Sequence, residues 1–309
     1  MKEKFGDYAK SIVYGGMDGI VTTFAVVAGA VGGNLGITPI VILGFSNLLA
    51  DGFSMAVGDY LSSTTEESVV KGKAIKNAGI QILQIVSRTE ESARELGTLL
   101  NVPFTCIPTE INTEADLYIV SVKDDAIAPA LSTYNLPKDA LIVHTAGSVS
   151  MEILKDFSSN IGILYPLQTF SKKKDVNFKE IPVYIEANDI INTNKLLQFA
   201  GKFSDRAKEV SSENRAHVHL AAVFACNFTN NLYSIASDIL EKAGLSFEDM
   251  LPLISETTEK IKVLHPRKAQ TGPAIRRDSK VIEKQLNALE GREKQIYKLI
   301  TESIQDEKL

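Results

Sequence analysis

The chain has no tryptophan, two cysteines and four histidines in 309 residues. Cys106 and Cys226 stand far apart, outside any CxxC or Cys/His ligand spacing, so they read as two reduced thiols. A disulfide or a metal site is the alternative reading. A basic excess is missing too. With 33 Lys and Arg against 38 Asp and Glu, the net charge of -5 gives no sign of a basic nucleic-acid surface. The sharpest absence is local: residues 11–60 hold no Lys, Arg or Glu, whereas charges are frequent from Glu66 onward.

That stretch contains two apolar runs, Ser11–Gly33 and Thr38–Tyr60. Each approaches or passes the roughly 20 residues that a bilayer-crossing helix requires. Asn34-Leu35-Gly36-Ile37 leaves room only for a tight turn, which predicts a two-helix transmembrane hairpin with membrane contact through residues 11–60. Lys2, Lys4 and Lys10 precede the hairpin and Lys71, Lys73 and Lys76 follow it. Positive flanks stay inside, which places the protein in the inner (cytoplasmic) membrane with a cytoplasmic C-terminal body. Without the hairpin the body would be simply cytoplasmic. A cleaved signal peptide is the rival reading, opposed by the second apolar run; a buried soluble hairpin is another. Within the runs Asp18 and Asp51 are costly at membrane depth and therefore face a partner, water or an ion. Asn47, Asp51, Met55 and Gly58 recur at helical spacing on one face. Carboxylate plus thioether suits a path for Fe²⁺ or Mn²⁺; small and polar residues gluing two helices together fit the same spacing.

The stretches Asp18-Gly19-Ile20-Val21-Thr22-Thr23-Phe24-Ala25-Val26-Val27-Ala28-Gly29 and Leu48-Leu49-Ala50-Asp51-Gly52-Phe53-Ser54-Met55-Ala56-Val57-Gly58-Asp59-Tyr60-Leu61-Ser62 closely resemble the first two membrane helices of the vacuolar iron transporter family. The resemblance implies that Asp18 and Met55 line a metal path. That family has five membrane helices, and no further apolar run of sufficient length follows Leu61 here.

From Lys73 onward strands and helices alternate. Asn77-Ala78-Gly79 reads as a helix end stopped by glycine, followed by a strand over Ile80–Val86 and a polar tip, Ser87-Arg88-Thr89. Thr89–Leu100 is a helix opened by Thr89, with Glu90 and Glu91 at the positive end of its dipole. Strands follow at Leu117–Val122, Ala140–His144, Ile161–Tyr165 and Ile181–Ile185, then a helix near Asn192–Phe203 and a strand near Ala207–Val210. Near-continuous apolar strands between helices predict a parallel sheet covered on both faces. Ligands of such sheets bind beyond the carboxyl ends of the strands. Those ends carry Ser87, Arg88 and Thr89, then Val122 and Lys123, then Thr145, Gly147 and Ser148. In a nucleotide-binding βαβ unit the Ser-Arg-Thr tip would face the adenosine ribose, where a guanidinium forks onto a 2′-phosphate. Each residue also has a plain role: Arg88 and Lys123 as surface charges, Gly147-Ser148 as a turn and helix cap.

One part of the unit is missing. One helix before Gly79 lies Ser62-Ser63-Thr64-Thr65-Glu66, without glycine, and no strand precedes it. Without a Gly-rich turn the backbone cannot closely approach a pyrophosphate, so NADP binding is expected to be weak or lost. After Ser212 the pattern is helical throughout: Ser212–Ala243 ended by Gly244, Phe247–Lys260, a basic loop His265–Asp278, and Ser279–Ile304. His219, Asn227 and Asn230 share a face of the first of these. A histidine beside amides suits a general acid for a carbonyl oxygen, with His219 and Asn227 as the catalytic candidates; a structural His–Asn pair suits the pattern as well.

The segments VSRT, SVKDD, HTAGSVSMEIL, GILYPLQTFSK, HLAAVFACNFTNNLY and AQTGPAIRRD resemble bacterial Rossmann-like proteins with a helical C-terminal domain of unknown function. The architecture is similar to deazaflavin-dependent NADP reductases and the 6-phosphogluconate dehydrogenase superfamily. This resemblance implies NADP as cofactor, a homodimer formed through the C-terminal helices, and an active site between the domains. The reading is therefore a chain joined between about Ser62 and Lys76, by natural fusion, frameshift or assembly artefact. Residues 1–72 are the truncated hairpin, 73–211 a Rossmann-like α/β domain whose parallel sheet lacks its first strand, and 212–309 an all-α C-terminal domain. The leading expectation is an NADP-binding oxidoreductase-like protein fused to a membrane hairpin. A relic of an Fe²⁺ or Mn²⁺ transporter and an inactive structural fusion are the alternatives.

Overall fold

The computed structural model describes residues 68–170 and 176–306. The expected hairpin with Asp18 and Met55, and the glycine-free stretch Ser62–Glu66, lie outside these residues. Among the described residues no helix is long and apolar enough to cross a membrane. The chain divides into two compact units, one running through His219 and one from Leu220 onward.

The described part of the first unit opens with α1 (68–77), which ends before Gly79 as the sequence predicts. Strand β1 (Ile85–Val86) follows, then α2 (Glu90–Leu100) and β2 (Phe104–Thr105). Thr89 caps α2, its hydroxyl accepting the Ser92 N–H at 3.3 Å. β1 pairs in parallel with β2 alone and forms a two-stranded sheet. The strand expected over Ile80–Val86 is thus only two residues long. A ladder stabilises an interior strand from both sides, and among the described residues nothing pairs with the second edge of β1. Ile80 packs instead into the core beneath α1.

A second sheet has the order β3-β4-β5-β6-β7, with β3 Leu117–Val120, β4 Leu141–His144, β5 Asn160–Pro166, β6 Val183–Ala187 and β7 Ala207–Glu209. In a doubly wound nucleotide-binding sheet the order is 3-2-1-4-5-6. On that template β2 and β1 are the third and second strands, and β3, β4 and β5 the fourth to sixth. The break between the two sheets falls at the place of strand one. All pairings in the larger sheet are parallel except β5 with β6. The wholly parallel arrangement read from the sequence fails there for a physical reason. A parallel return needs a crossover element, and the described part of the β5–β6 connection carries only a 3₁₀ turn, Phe178–Glu180.

Alternation along the strands separates two cores. Leu141 and Val143 point to the face shared with Leu164, Val183, Ile185 and Leu196, against which Ile75 and Ile80 pack. Ile142 points the other way, into a core with Ile127, Leu131 and Leu154 that α3 (Ile127–Leu131) covers. Helix α4 (Ile190–Gly201) is capped by Asp189, which accepts the Asn192 N–H at 2.8 Å, and lays Leu196 and Ala200 on the first core. Helix α5 (Ser212–Ala222) then leads out of this unit.

The second unit is helical, as expected. After α5 comes a π-helical segment, Val223–Phe228, where the Thr229 hydroxyl donates to the Phe224 carbonyl at 3.1 Å. The continuous helix expected over Ser212–Ala243 therefore contains a local widening. It continues as α6 (Thr229–Lys242), followed by α7 (Leu251–Val263) and the short α8 (Pro266–Ala269). The last helix expected over Ser279–Ile304 is two, α9 (Ser279–Asn287) and α10 (Gly291–Asp306). The chain turns between them at Gly291, whose φ of 54° favours a residue without Cβ.

Candidate active site at the strand carboxyl ends

Two strand ends named from the sequence do converge. The Thr145 N–H donates to the Val120 carbonyl at 3.3 Å, which ties the end of β4 to the end of β3. Beyond this junction the Thr145 and Ser121 hydroxyls lie 3.5 Å apart, and the Ser148 hydroxyl donates to Asp124 at 2.5 Å. Lys71 of α1 reaches the same point: its ammonium donates to Thr145 Oγ1 at 3.0 Å and to Ser121 Oγ at 3.4 Å. Lys71 is only 8% exposed, and its Nζ lies 6.0 Å from the centre of the Phe170 ring. Val122 and Lys123 follow β3 on the exposed side of this cluster.

A second group lies beside it. Tyr165, at the carboxyl end of β5, places its hydroxyl 3.2 Å from His219 Nδ1. Gly147 makes that approach possible. A Cβ there would stand 2.7 Å from both His219 Nδ1 and Tyr165 Cζ. His219 is held in place by a buried anchor on the preceding turn of α5. Arg215, 1% exposed, pairs with Glu186 of β6 and donates to the Val149 carbonyl at 2.6 Å. Ser212 closes the anchor by donating its N–H and its hydroxyl to the Glu186 carboxylate at 2.9 and 2.7 Å. A buried guanidinium is tolerated because its carboxylate partner is itself held by hydrogen bonds.

His144, the last residue of β4, is fully buried. Its Nδ1 accepts the Ala146 N–H at 3.2 Å and its Nε2 faces the Ser150 carbonyl at 3.3 Å. Those partners require the neutral ring with hydrogen on Nε2. Burial, with a smaller contribution from Arg215, lowers its pKa to about 4 against the opposing pull of the Ser150 carbonyl, Asp124 and Glu186. His144 thus shapes the turn that presents Thr145 and Gly147.

The remaining expected residues lie apart from this cluster. Ser87, Arg88 and Thr89 follow β1 on the two-stranded sheet. Thr89 is occupied as the α2 cap, while Arg88 is exposed and makes no hydrogen bond or ion pair among the described residues. A free guanidinium at the end of the second strand fits a ribose 2′-phosphate. The residues that would carry a Gly-rich turn fall outside the described ones, so the fit to a dinucleotide is read at its adenosine end and at the β3–β4 junction. Asn227 lies in the π-helical segment of the second unit and is exposed. Lys71, Ser121 and Tyr165 escaped the sequence reading. The signal for Lys71 was its place four residues before Ile75, on the buried face of α1.

Comparison with known proteins matches two separate stretches of the chain to two different families. A model for a domain of unknown function (DUF2520) matches residues 181–304, and the VIT family model matches residues 9–95. The structure of BF3122 from Bacteroides fragilis, a proposed NADP oxidoreductase, is 43% identical with a TM-score of 0.74, covering 78% of this chain and 95% of that one. The structure of TM1727 from Thermotoga maritima is 25% identical with a TM-score of 0.56, covering 72% and 88%. At the other end, a vacuolar iron transporter from Toxoplasma gondii is 40% identical over 90 residues, which span 29% of this chain and 28% of that relative. The VIT match runs to residue 95, although residues 68–95 fold within the α/β body. The chain belongs to the family of BF3122, and carries ahead of that body a stretch similar to the VIT family.

Proposed function

We propose that the body of this chain is an NADP-dependent oxidoreductase acting on a carbonyl or imine substrate, tethered to a membrane by its N-terminal stretch. The observation that carries the reading is likeness to BF3122 over nearly its whole length, together with the unpaired Arg88 at the end of β1. NADPH, when bound, supplies the hydride. Arg88, with the Ser87 hydroxyl beside it, would hold the 2′-phosphate, and Lys123, Thr145, Gly147 and Ser148 would line the path from the β3–β4 junction. Tyr165 and His219 share a hydrogen bond and hold a proton between Oη and Nδ1, where a developing alkoxide or amide anion would need it.

The second unit would supply a dimer interface. Phe224, Leu253 and Val263 are 61%, 62% and 81% exposed on its helices, a pattern that suits association with a second copy. Residues 11–60 would provide the membrane hairpin, in the cytoplasmic membrane with the body in the cytoplasm. Domain boundaries near residues 72 and 211 complete this reading.

The test is binding of NADPH and NADH to the full chain in mild detergent, before and after Arg88→Ala. Loss of the 2′-phosphate contact should lower NADPH affinity by roughly 10- to 100-fold, the range for a charge-assisted hydrogen bond, and leave NADH unchanged. An unaltered NADPH preference would remove Arg88 from the site.

The match to vacuolar iron transporters favours a second reading, in which Asp18 and Met55 handle Fe²⁺ or Mn²⁺ at the hairpin. The matched stretch is 28% of the Toxoplasma relative's length. Metal uptake into vesicles that is lost in Asp18→Asn and Met55→Leu would support it; absence of uptake would set it aside.

A further inference from the structure

We infer that Lys71, Thr145 and Ser121 form an oxyanion seat, which takes the diphosphate of the dinucleotide in place of a Gly-rich turn; this rests on the NADP reading above.

Helix α1 packs on the sheet through Ile75, and one turn earlier the same face carries Lys71. An apolar residue would continue the core there. The ammonium instead sits at the carboxyl ends of β3 and β4, 8% exposed, donating to Thr145 Oγ1 at 3.0 Å and Ser121 Oγ at 3.4 Å. An ammonium only donates. Both hydroxyl oxygens facing it must therefore accept, which turns their own hydrogens away from Lys71. Thr145 Oγ1 and Ser121 Oγ are 3.5 Å apart, so Thr145 can pass its hydrogen to Ser121, and the Ser121 hydrogen then ends the chain as a donor. Ser121 and Thr145 are only half-buried, so this donor end is open to the crevice beyond the strands. A buried cation behind an outward hydroxyl donor, polarised through the Lys71–Thr145–Ser121 chain, suits an oxyanion. The nearby carboxylate, Asp124, is engaged by the Ser148 hydroxyl at 2.5 Å.

The place selects among oxyanions. On the doubly wound template β3 borders the place of strand one, with β1 and Arg88 on its other side. In a doubly wound sheet the diphosphate lies at that crevice, between the 2′-phosphate end and the reacting end. The seat therefore contributes equally to NADPH and NADH, whereas Arg88 separates them.

The experiment titrates the full chain in mild detergent with inorganic pyrophosphate, NADPH and NADH. Wild type should bind pyrophosphate saturably, and NADPH should compete with it. Lys71→Met, close in size, should weaken pyrophosphate, NADPH and NADH together by roughly 10- to 100-fold. Thr145→Val, which keeps the shape and removes the hydroxyl, should do the same to a smaller degree, with an unchanged circular dichroism spectrum in both variants. NADPH binding that is indifferent to Lys71→Met and Thr145→Val overturns the seat and leaves the NADP reading standing. Pyrophosphate binding that depends on Lys71 but is not displaced by NADPH overturns the diphosphate assignment. Failure of wild type to bind pyrophosphate overturns the seat outright, and failure to bind either dinucleotide overturns the NADP reading itself.

Discussion

Acidification should weaken the α/β unit through one residue, His144. It is fully buried, and its ring is held neutral by the Ala146 N–H on Nδ1 and the Ser150 carbonyl at Nε2. Its pKa is about 4 in the folded chain against an ordinary 6.5. The folded value is the lower one, so the unfolded chain takes up the proton first as pH falls. Stability is complete above pH 6.5 and drains away down to about pH 4, with a total loss of about 3 kcal/mol from the difference in pKa. About 2 kcal/mol of that falls between pH 7 and pH 5, a range in which ordinary carboxylates remain ionised. Urea unfolding of the full chain, followed by circular dichroism at half-unit steps across that range, measures it. His144→Gln should lower stability at pH 7 and flatten the slope below pH 6.5. A wild-type profile that is flat from pH 7 to pH 5, or an equal slope in the variant, would refute the assignment of a neutral structural histidine.

Other substitutions separate anchor, cap and site. Glu186→Gln leaves Arg215 buried beside a neutral partner and should cost roughly 3–5 kcal/mol, read as a lower urea midpoint. Gly147→Ala places a Cβ 2.7 Å from Tyr165 and His219; it should cost about 1–3 kcal/mol and shift the His219 ring resonances in NMR spectra. Thr89→Ala removes the α2 cap and should cost about 1 kcal/mol, whereas Arg88→Ala, its exposed neighbour, should leave the urea midpoint unchanged.

The alternation of helices and apolar strands was legible because the central strands β4 and β5 are buried on both faces and helix starts such as those of α2 and α4 carry a side-chain cap, at Thr89 and Asp189. The strand ends at Val122 and Thr145 were legible for the same reason. What escaped depends on contacts across long stretches of chain. Lys71 meets Thr145, 74 residues away, and Tyr165 meets His219, 54 away; neither pairing has a local spacing. The antiparallel β6 escaped because an apolar strand reads alike in either direction. β2 is two residues long, too short for any periodicity. The helix break before Gly291 turns on one glycine in a run that otherwise keeps its helical pattern.

Calorimetric titration of the full chain with NADPH and with NADH bears most directly on the assignment of the body. Saturable binding of both, with NADPH the tighter by roughly 10- to 100-fold, is the predicted result. Heats that never saturate with either dinucleotide would contradict it.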